Sequence, residues 1–198
     1  MNKVLLIVTS MVAPDKSFSY GLAQKFVEYY KQKNPDDQII ELNLNQVEMA
    51  QKTLTQQNFA NFFNSEDSDF YIDQLKNVNK VIIATPMTNF NYPAVLKNYL
   101  DHVLVADKTF SYKYSKKGDA IGLLKHLKVQ LLTSQGAPFG WYPWGNHTEM
   151  LKGTWEFVGA QVCEPILIAG TKVDYKDKTV QDAINDYDAQ IKQAAQSF

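Results

Sequence analysis

Val81-Ile82-Ile83-Ala84-Thr85-Pro86-Met87-Thr88-Asn89-Phe90-Asn91-Tyr92-Pro93 is the stretch that decides the fold. It opens with four apolar, mostly β-branched residues and no polar alternation, as a strand covered on both faces requires. A polar and aromatic loop containing two prolines follows, and then the helical pattern Ala94-Val95-Leu96-Lys97-Asn98-Tyr99-Leu100. Strand, loop and helix in this order build a parallel sheet, and the loop leaving the C-terminal end of such a strand is where open α/β sheets take ligands. Within that loop an amide (Asn89) stands beside a phenyl ring (Phe90). The pair suits a flat ring with a hydrogen-bonding edge.

The same alternation runs outward in both directions. Residues 3–8, 38–42, 80–84, 128–133 and 162–169 read as five strands. The spacing predicts a helix from Ser17 or Ser19 to about Lys33, with Leu22, Phe26, Val27 and Tyr30 on one face. Further helices are expected over 55–76 in two pieces broken near Asn64-Ser65, from Pro93 to about 105, over 147–160, and over 176–197, with a short β-like excursion at 109–114. Five strands joined by helical crossovers predict an α/β fold: one parallel sheet with helices on both faces. No repeat, low-complexity tract or Gly/Ser linker divides the chain, so residues 1–198 read as a single domain.

Composition narrows the function. The 198 residues are 45% hydrophobic, enough for a sizeable core. Lys plus Arg (20) nearly balances Asp plus Glu (21), for a net charge of −1. Phosphate backbones demand a concentrated basic excess, so nucleic acid is not an expected partner. The single cysteine, Cys163, allows no internal disulfide and no Cys-based metal site. It reads as a small buried hydrophobe at a strand start, a usage that fits a cytoplasmic protein. No apolar stretch is long enough to span a membrane. The N-terminal run 4–8 is short and rich in β-branched residues, and a polar, helix-starting segment follows. It reads as a first central strand rather than a signal peptide ending near Ala13.

Three loops are expected at one rim of the sheet. The first, residues 9–19, carries Ser10, Ser17, Ser19 and Lys16 before a helix start. Hydroxyls and free N–H groups there suit a phosphate, and they suit a plain capping loop as well. The loop has neither G-x-x-x-x-G-K-[ST] nor G-x-G-x-x-G. In the second loop Asn89 both donates and accepts, the N–H groups of Asn89 and Phe90 face a ring edge, and Met87 offers a soft contact; a Pro-rich structural turn is the alternative. In the third, residues 133–140, Gly136 permits close backbone approach, and Ser134 and Gln135 add polar groups. Beyond it, Trp141-Tyr142-Pro143-Trp144 reads as a cover for an aromatic ligand, a dimer contact or a local hydrophobic plug. His102, His126 and His147 show no metal-ligand spacing, and no G-x-S-x-G elbow is present. Without a nucleophile, base pair or metal set, the chemistry belongs to a cofactor.

On these residues the chain resembles the FMN-dependent NADH-azoreductases of the flavodoxin-like superfamily, nearly end to end. Pro86-Met87-Thr88-Asn89-Phe90-Asn91, continuing to Leu96-Lys97-Asn98-Tyr99-Leu100-Asp101, is similar to that family's P-M-Y-N-F-N…L-K-N-Y-[FL]-D block. Thr109-Phe110-Ser111-Tyr112 is similar to its T-F-x-Y stretch, and Thr133-Ser134-Gln135-Gly136-Ala137 to its T-S-R-G-G turn. The resemblance implies a flavodoxin-like three-layer sandwich with strand order 2-1-3-4-5. It implies non-covalent FMN held by Ser10, Ser17, Phe18 and Ser19 at the phosphate and ribityl end. Pro86, Met87, Thr88, Asn89 and Phe90 then run along the ring, with Ser134, Gln135, Gly136 and Ala137 on its far side. It further implies Phe157 beside the substrate, a homodimer with two interfacial sites, and NADH or NADPH as donor. The implied reaction is a ping-pong, two-electron reduction of quinones and azo compounds, with no side chain acting as acid or base. The phosphate loop is one residue longer than the family's, Thr88 stands for a common tyrosine, and Gln135-Gly136-Ala137 for Arg-Gly-Gly, removing a ring and a cation. The alternative, a flavodoxin-type electron carrier without its own substrate, is disfavoured by the near-neutral charge. A hydrolase lacks a nucleophile.

Overall fold

A computed structural model describes residues 1–113 and 118–198. In chain order the elements are β1 (Lys3–Val8), α1 (Phe18–Lys33), β2 (Gln38–Asn43), α2 (Phe59–Phe62), α3 (Phe70–Lys76), β3 (Lys80–Pro86), α4 (Ala94–Val103), β4 (Phe110–Ser111), β5 (Ile121–Gly122), β6 (Lys128–Ser134), α5 (His147–Phe157), β7 (Gln161–Val162), β8 (Ile166–Ile168), α6 (Val180–Asp186) and α7 (Asp188–Ser197). The main sheet is parallel in the order β2-β1-β3-β6-β7, with β8 also paired to β6. This is the flavodoxin-like α/β order 2-1-3-4-5, with the fifth strand in two pieces.

Side-chain alternation along the strands sorts the core into two layers. Leu5, Ile7, Val81, Ile83, Val129 and Leu131 face one way, against Leu96, Tyr99, Leu151 and Trp155 of α4 and α5. Val4, Leu6, Val8, Ile82, Ala84 and Leu132 face the other, against Leu22, Phe26 and Tyr30 of α1 and Ala183 and Ile191 of α6 and α7. Burial on both faces explains why the central strands carry no polar alternation.

Several boundaries differ from the sequence expectation. The break between β7 and β8 coincides with Pro165, which has no N–H for the ladder. Gln130, buried on β6, spans the gap: its amide donates to the carbonyls of Glu164 (3.0 Å) and Leu131 (3.1 Å). Pro93 caps α4 rather than entering it, and the helix stops at Val103. The closing helix is two helices. A Thr179/Asp182 capping box starts α6 later than expected, and Tyr187 separates it from α7. The expected break near Asn64 is present, with the Asn64 side chain accepting from the N–H groups of Glu66 (3.0 Å) and Asp67 (2.9 Å). In the excursion, β4 pairs antiparallel with β5; its expected last residue, Tyr114, lies outside the described residues. Among the described residues no helix is long and apolar enough to cross a membrane.

Candidate functional site

The loops leaving β1, β3, β6 and β8 are tied together at one rim of the sheet. Thr9 Oγ1 donates to Thr85 Oγ1 at 2.7 Å, the N–H of Met87 to the carbonyl of Ser134 at 2.7 Å, and the N–H of Gln135 to that of Ile168 at 2.9 Å. Together the loops enclose two joined clefts of about 430 and 370 Å³. The first runs from Ser10, Lys16, Ser17 and Phe18 to Ser134 and Thr171. The second runs from Phe90 to Ala137, Trp141, Tyr142 and Val173. Met87, Asn89, Gln135, Gly136 and Lys172 line both.

The first cleft ends on the N-terminus of α1. Ser17 is the cap, its hydroxyl accepting from the N–H of Tyr20 at 3.2 Å. The N–H of Gly21 turns back to the Ser17 carbonyl at 2.9 Å. The N–H groups of Phe18 and Ser19 have no partner among the described residues. Two free helix-terminal donors, the Ser10 and Ser17 hydroxyls and the Lys16 amine suit an anion.

The second cleft is bounded by a strained hairpin turn. Thr88 and Asn91 exchange backbone hydrogen bonds of 2.6 and 3.1 Å, while Asn89 (φ +47°) and Phe90 (φ +69°) both take the left-handed conformation. This is the geometry of a two-residue turn of the primed kind. Asn tolerates it, but phenylalanine there costs about 1–2 kcal/mol. Neighbours hold the ring in place: Phe90 meets Tyr142 (5.1 Å between centroids) and Trp144 (5.7 Å). The turn leaves the N–H groups of Asn89 and Phe90 without a partner among the described residues. Trp141 and Trp144 remain 60% and 70% exposed, so Trp141-Tyr142-Pro143-Trp144 forms an open aromatic wall rather than a buried plug.

The structure brings Ser10, Ser17, Phe18, Pro86, Met87, Thr88, Asn89, Ser134, Gln135 and Gly136 to the first cleft, and Phe90 and Ala137 to the second. Ser19 lines neither: it is fully buried, with its hydroxyl 3.4 Å from that of Ser17. Phe157 also lies outside both, at the end of α5 with its ring 4.9 Å from Phe110. Gly136 lies under the stem of Lys172: a Cβ there would stand 3.0 Å from Lys172 Cδ, and the lysine chain would have to give by a few tenths of an ångström. The sequence reading passed over Thr171, Lys172 and Val173, which follow β8 at the same rim. The rule that selected the other loops applies to this one. Here Gly170 (φ +73°) turns the chain, and Gly170, Thr171 and Lys172 donate to the carbonyls of Ala137, Gln135 and Gly136 at 2.9, 3.0 and 2.9 Å.

Among the described residues, Lys16 and Lys172 are the charged ones lining the clefts, and no carboxylate joins them there. Gln135 does not reach outward; its amide donates to the carbonyl of Ala137 at 3.0 Å. His147 begins α5 just past the cleft-lining Gly145 but is fully buried, and neither ring nitrogen has a partner among the described residues. Burial holds its pKa down to about 4, so it is neutral at neutral pH.

Residues 2–191 match the family described as having a flavodoxin-like fold. The FMN-dependent NADH:quinone oxidoreductase of Malacoplasma penetrans is 63% identical over 199 residues, covering 100% of this chain and 94% of the relative. The protein of the same name from Mycoplasmopsis pulmonis is 58% identical, with both chains fully covered. Among solved structures, an azoreductase from Bacillus anthracis superposes with a TM-score of 0.84 at 25% identity over the full length of both chains. An FMN-dependent NADH-azoreductase from the same species, in complex with FMN, superposes with a TM-score of 0.73 at 23% identity over 99% of both chains, a likeness of fold.

Proposed function

The chain belongs to the flavodoxin-like fold family, among relatives that are FMN-dependent NADH:quinone oxidoreductases, and from that premise we propose that it binds FMN and reduces quinones and azo compounds with NADH or NADPH. The observation that carries this reading is the continuous trough from the free N–H groups of α1 to the Asn89-Phe90 turn. It offers anion donors at one end and an amide, two free backbone N–H groups and aromatic rings at the other. Those are the partners that a phosphate, a ribityl chain and a flat heteroaromatic ring require in sequence.

Bound there, FMN supplies the redox chemistry, carrying two electrons from the nicotinamide to the acceptor in two half-reactions at one site. The chain's own residues bind and orient. Ser10, Ser17, Lys16 and the N–H groups of Phe18 and Ser19 hold the phosphate end. Ser19 therefore acts through its backbone, since its hydroxyl is turned inward. Pro86, Met87, Thr88, Asn89 and Phe90 hold one side of the ring, and Ser134, Gln135, Gly136 and Ala137 the other. The Asn89 and Phe90 N–H groups stabilise negative charge at the ring edge without reorganising, because the turn fixes them beforehand. The whole of residues 1–198 acts as one FMN-binding domain.

Phe157 lies outside the clefts of its own chain, so its place beside an acceptor requires a second copy. Exposed Tyr112, Leu123 and Met150 add apolar surface, in keeping with a homodimer that buries it. We place the protein in the cytoplasm, with small-molecule partners and neither a membrane nor nucleic acid as a partner.

The visible spectrum of purified protein tests the central reading. A flavin absorbance that leaves with denaturation as FMN, together with steady NADH oxidation in the presence of menadione, is expected. Colourless protein that takes up no FMN defeats the proposal, and bound FMN with negligible turnover without a reductase makes the chain a carrier. Sedimentation velocity tests the dimer.

A further inference from the structure

Among the described residues the ring end of the site carries one charged side chain, Lys172, and it arrives from a loop that the recognised motifs do not include. Its backbone is anchored and its stem lies over Gly136. The backbone N–H donates to the Gly136 carbonyl at 2.9 Å, and its stem runs across the space that a Cβ on Gly136 would enter, 3.0 Å from Cδ, 3.2 Å from Cγ and 3.5 Å from Cε. The ammonium has no ion-pair or hydrogen-bond partner among the described residues. The nearest acid in sequence, Asp174, is folded back on Gly170, with its carboxylate where a Gly170 Cβ would stand. On the loop paired with it, the position that the resemblance assigns to an arginine holds Gln135, whose amide donates to the Ala137 carbonyl within its own loop. The phosphate end already has a cation in Lys16, which lines the first cleft alone, whereas Lys172 spans both.

We propose that Lys172 restores the positive charge that Gln135 removes, and that its ammonium favours reduced over oxidised flavin. The proposal rests on the FMN reading above. Reduction by NADH adds two electrons and one proton to the flavin and releases NAD⁺, so the ring gains one negative charge. The acceptor later withdraws both electrons and that proton, and takes its second proton from water. A cation at the boundary of the ring cleft stabilises the added charge and leaves the neutral oxidised ring nearly untouched, with solvent screening part of the effect because the Lys172 side chain is exposed.

The test is the two-electron midpoint potential of FMN-loaded protein, measured by equilibration with reference dyes, alongside the Kd for oxidised FMN. Lys172→Gln is expected to lower the potential by about 30 mV, a tenfold change in the equilibrium constant of a two-electron couple, with the Kd changed less than threefold. Lys172→Arg is expected to keep most of the potential. An unchanged potential in Lys172→Gln overturns the proposal. So does an equal drop in both variants, which marks a packing role, or a raised Kd at constant potential, which marks a phosphate ligand. Wild-type protein that takes up no FMN instead overturns the cofactor reading itself, and this is seen before any variant is made.

Discussion

The ring of Phe90 lies on the backbone of Gly145: a Cβ on Gly145 would stand 3.1 Å from Cδ1 and 3.2 Å from Cβ of Phe90. The loop after β6 thus holds in place the left-handed turn after β3. Gly145→Ala must push a residue whose backbone is already strained, so it is expected to weaken FMN binding several-fold in a fluorescence titration. Gly153→Ala is the control. Gly153 sits within α5 with open space around its missing Cβ, and the change should stabilise the fold by about 0.5–1 kcal/mol with FMN affinity unchanged.

Asn89 combines an amide with a φ of +47°. Asn89→Ala loses the amide and strains the turn, whereas Asn89→Gly loses the amide and keeps the turn. If both functions matter, flavin affinity falls in both variants and thermal stability falls only in Ala, by about 1 kcal/mol. Unchanged affinity in both would remove the Asn89 side chain from the site.

Buried His147 makes stability depend on pH in acid. Its folded pKa of about 4 lies below the 6.5 of an unfolded histidine. The unfolded state therefore takes up the proton first, and stability is lost as pH falls from about 6.5 towards 4. At about 1.4 kcal/mol per pH unit this amounts to roughly 3 kcal/mol. Urea titrations at pH 7 and pH 4.5 should show the loss in wild type and a smaller one in His147→Phe. Equal slopes would assign the acid sensitivity to other groups.

Phe157→Ala offers a readout for the second copy. It should lower kcat/KM for menadione while leaving the FMN Kd and midpoint potential as they are, because its ring is outside the clefts of its own chain. A change in FMN Kd as large as the change in kcat/KM would show that it acts through the fold.

The strands and the rim were legible in the primary structure. Unbroken apolar runs such as Val81-Ile82-Ile83-Ala84 have one comfortable home, a sheet covered on both faces, and chain direction then sends the segments after β1, β3 and β6 to one edge. A serine cap at Ser17 or Ser19 was likewise visible, since the N–H groups it serves lie within its own helix, and the structure uses Ser17. Ser19, Phe157 and Lys172 were decided by tertiary structure. Whether the Ser19 hydroxyl meets solvent depends on how α1 docks on the sheet, and packing turns it inward. Phe157 lands against Phe110 because the β4–β5 hairpin folds over α5. Lys172 reaches Gly136, 36 positions away in the chain, through backbone pairing between the loops after β6 and β8. Local periodicity specifies the elements because its physics is contained within a few residues. Contacts between separate loops depend on how the sheet closes, and no short stretch of sequence contains that.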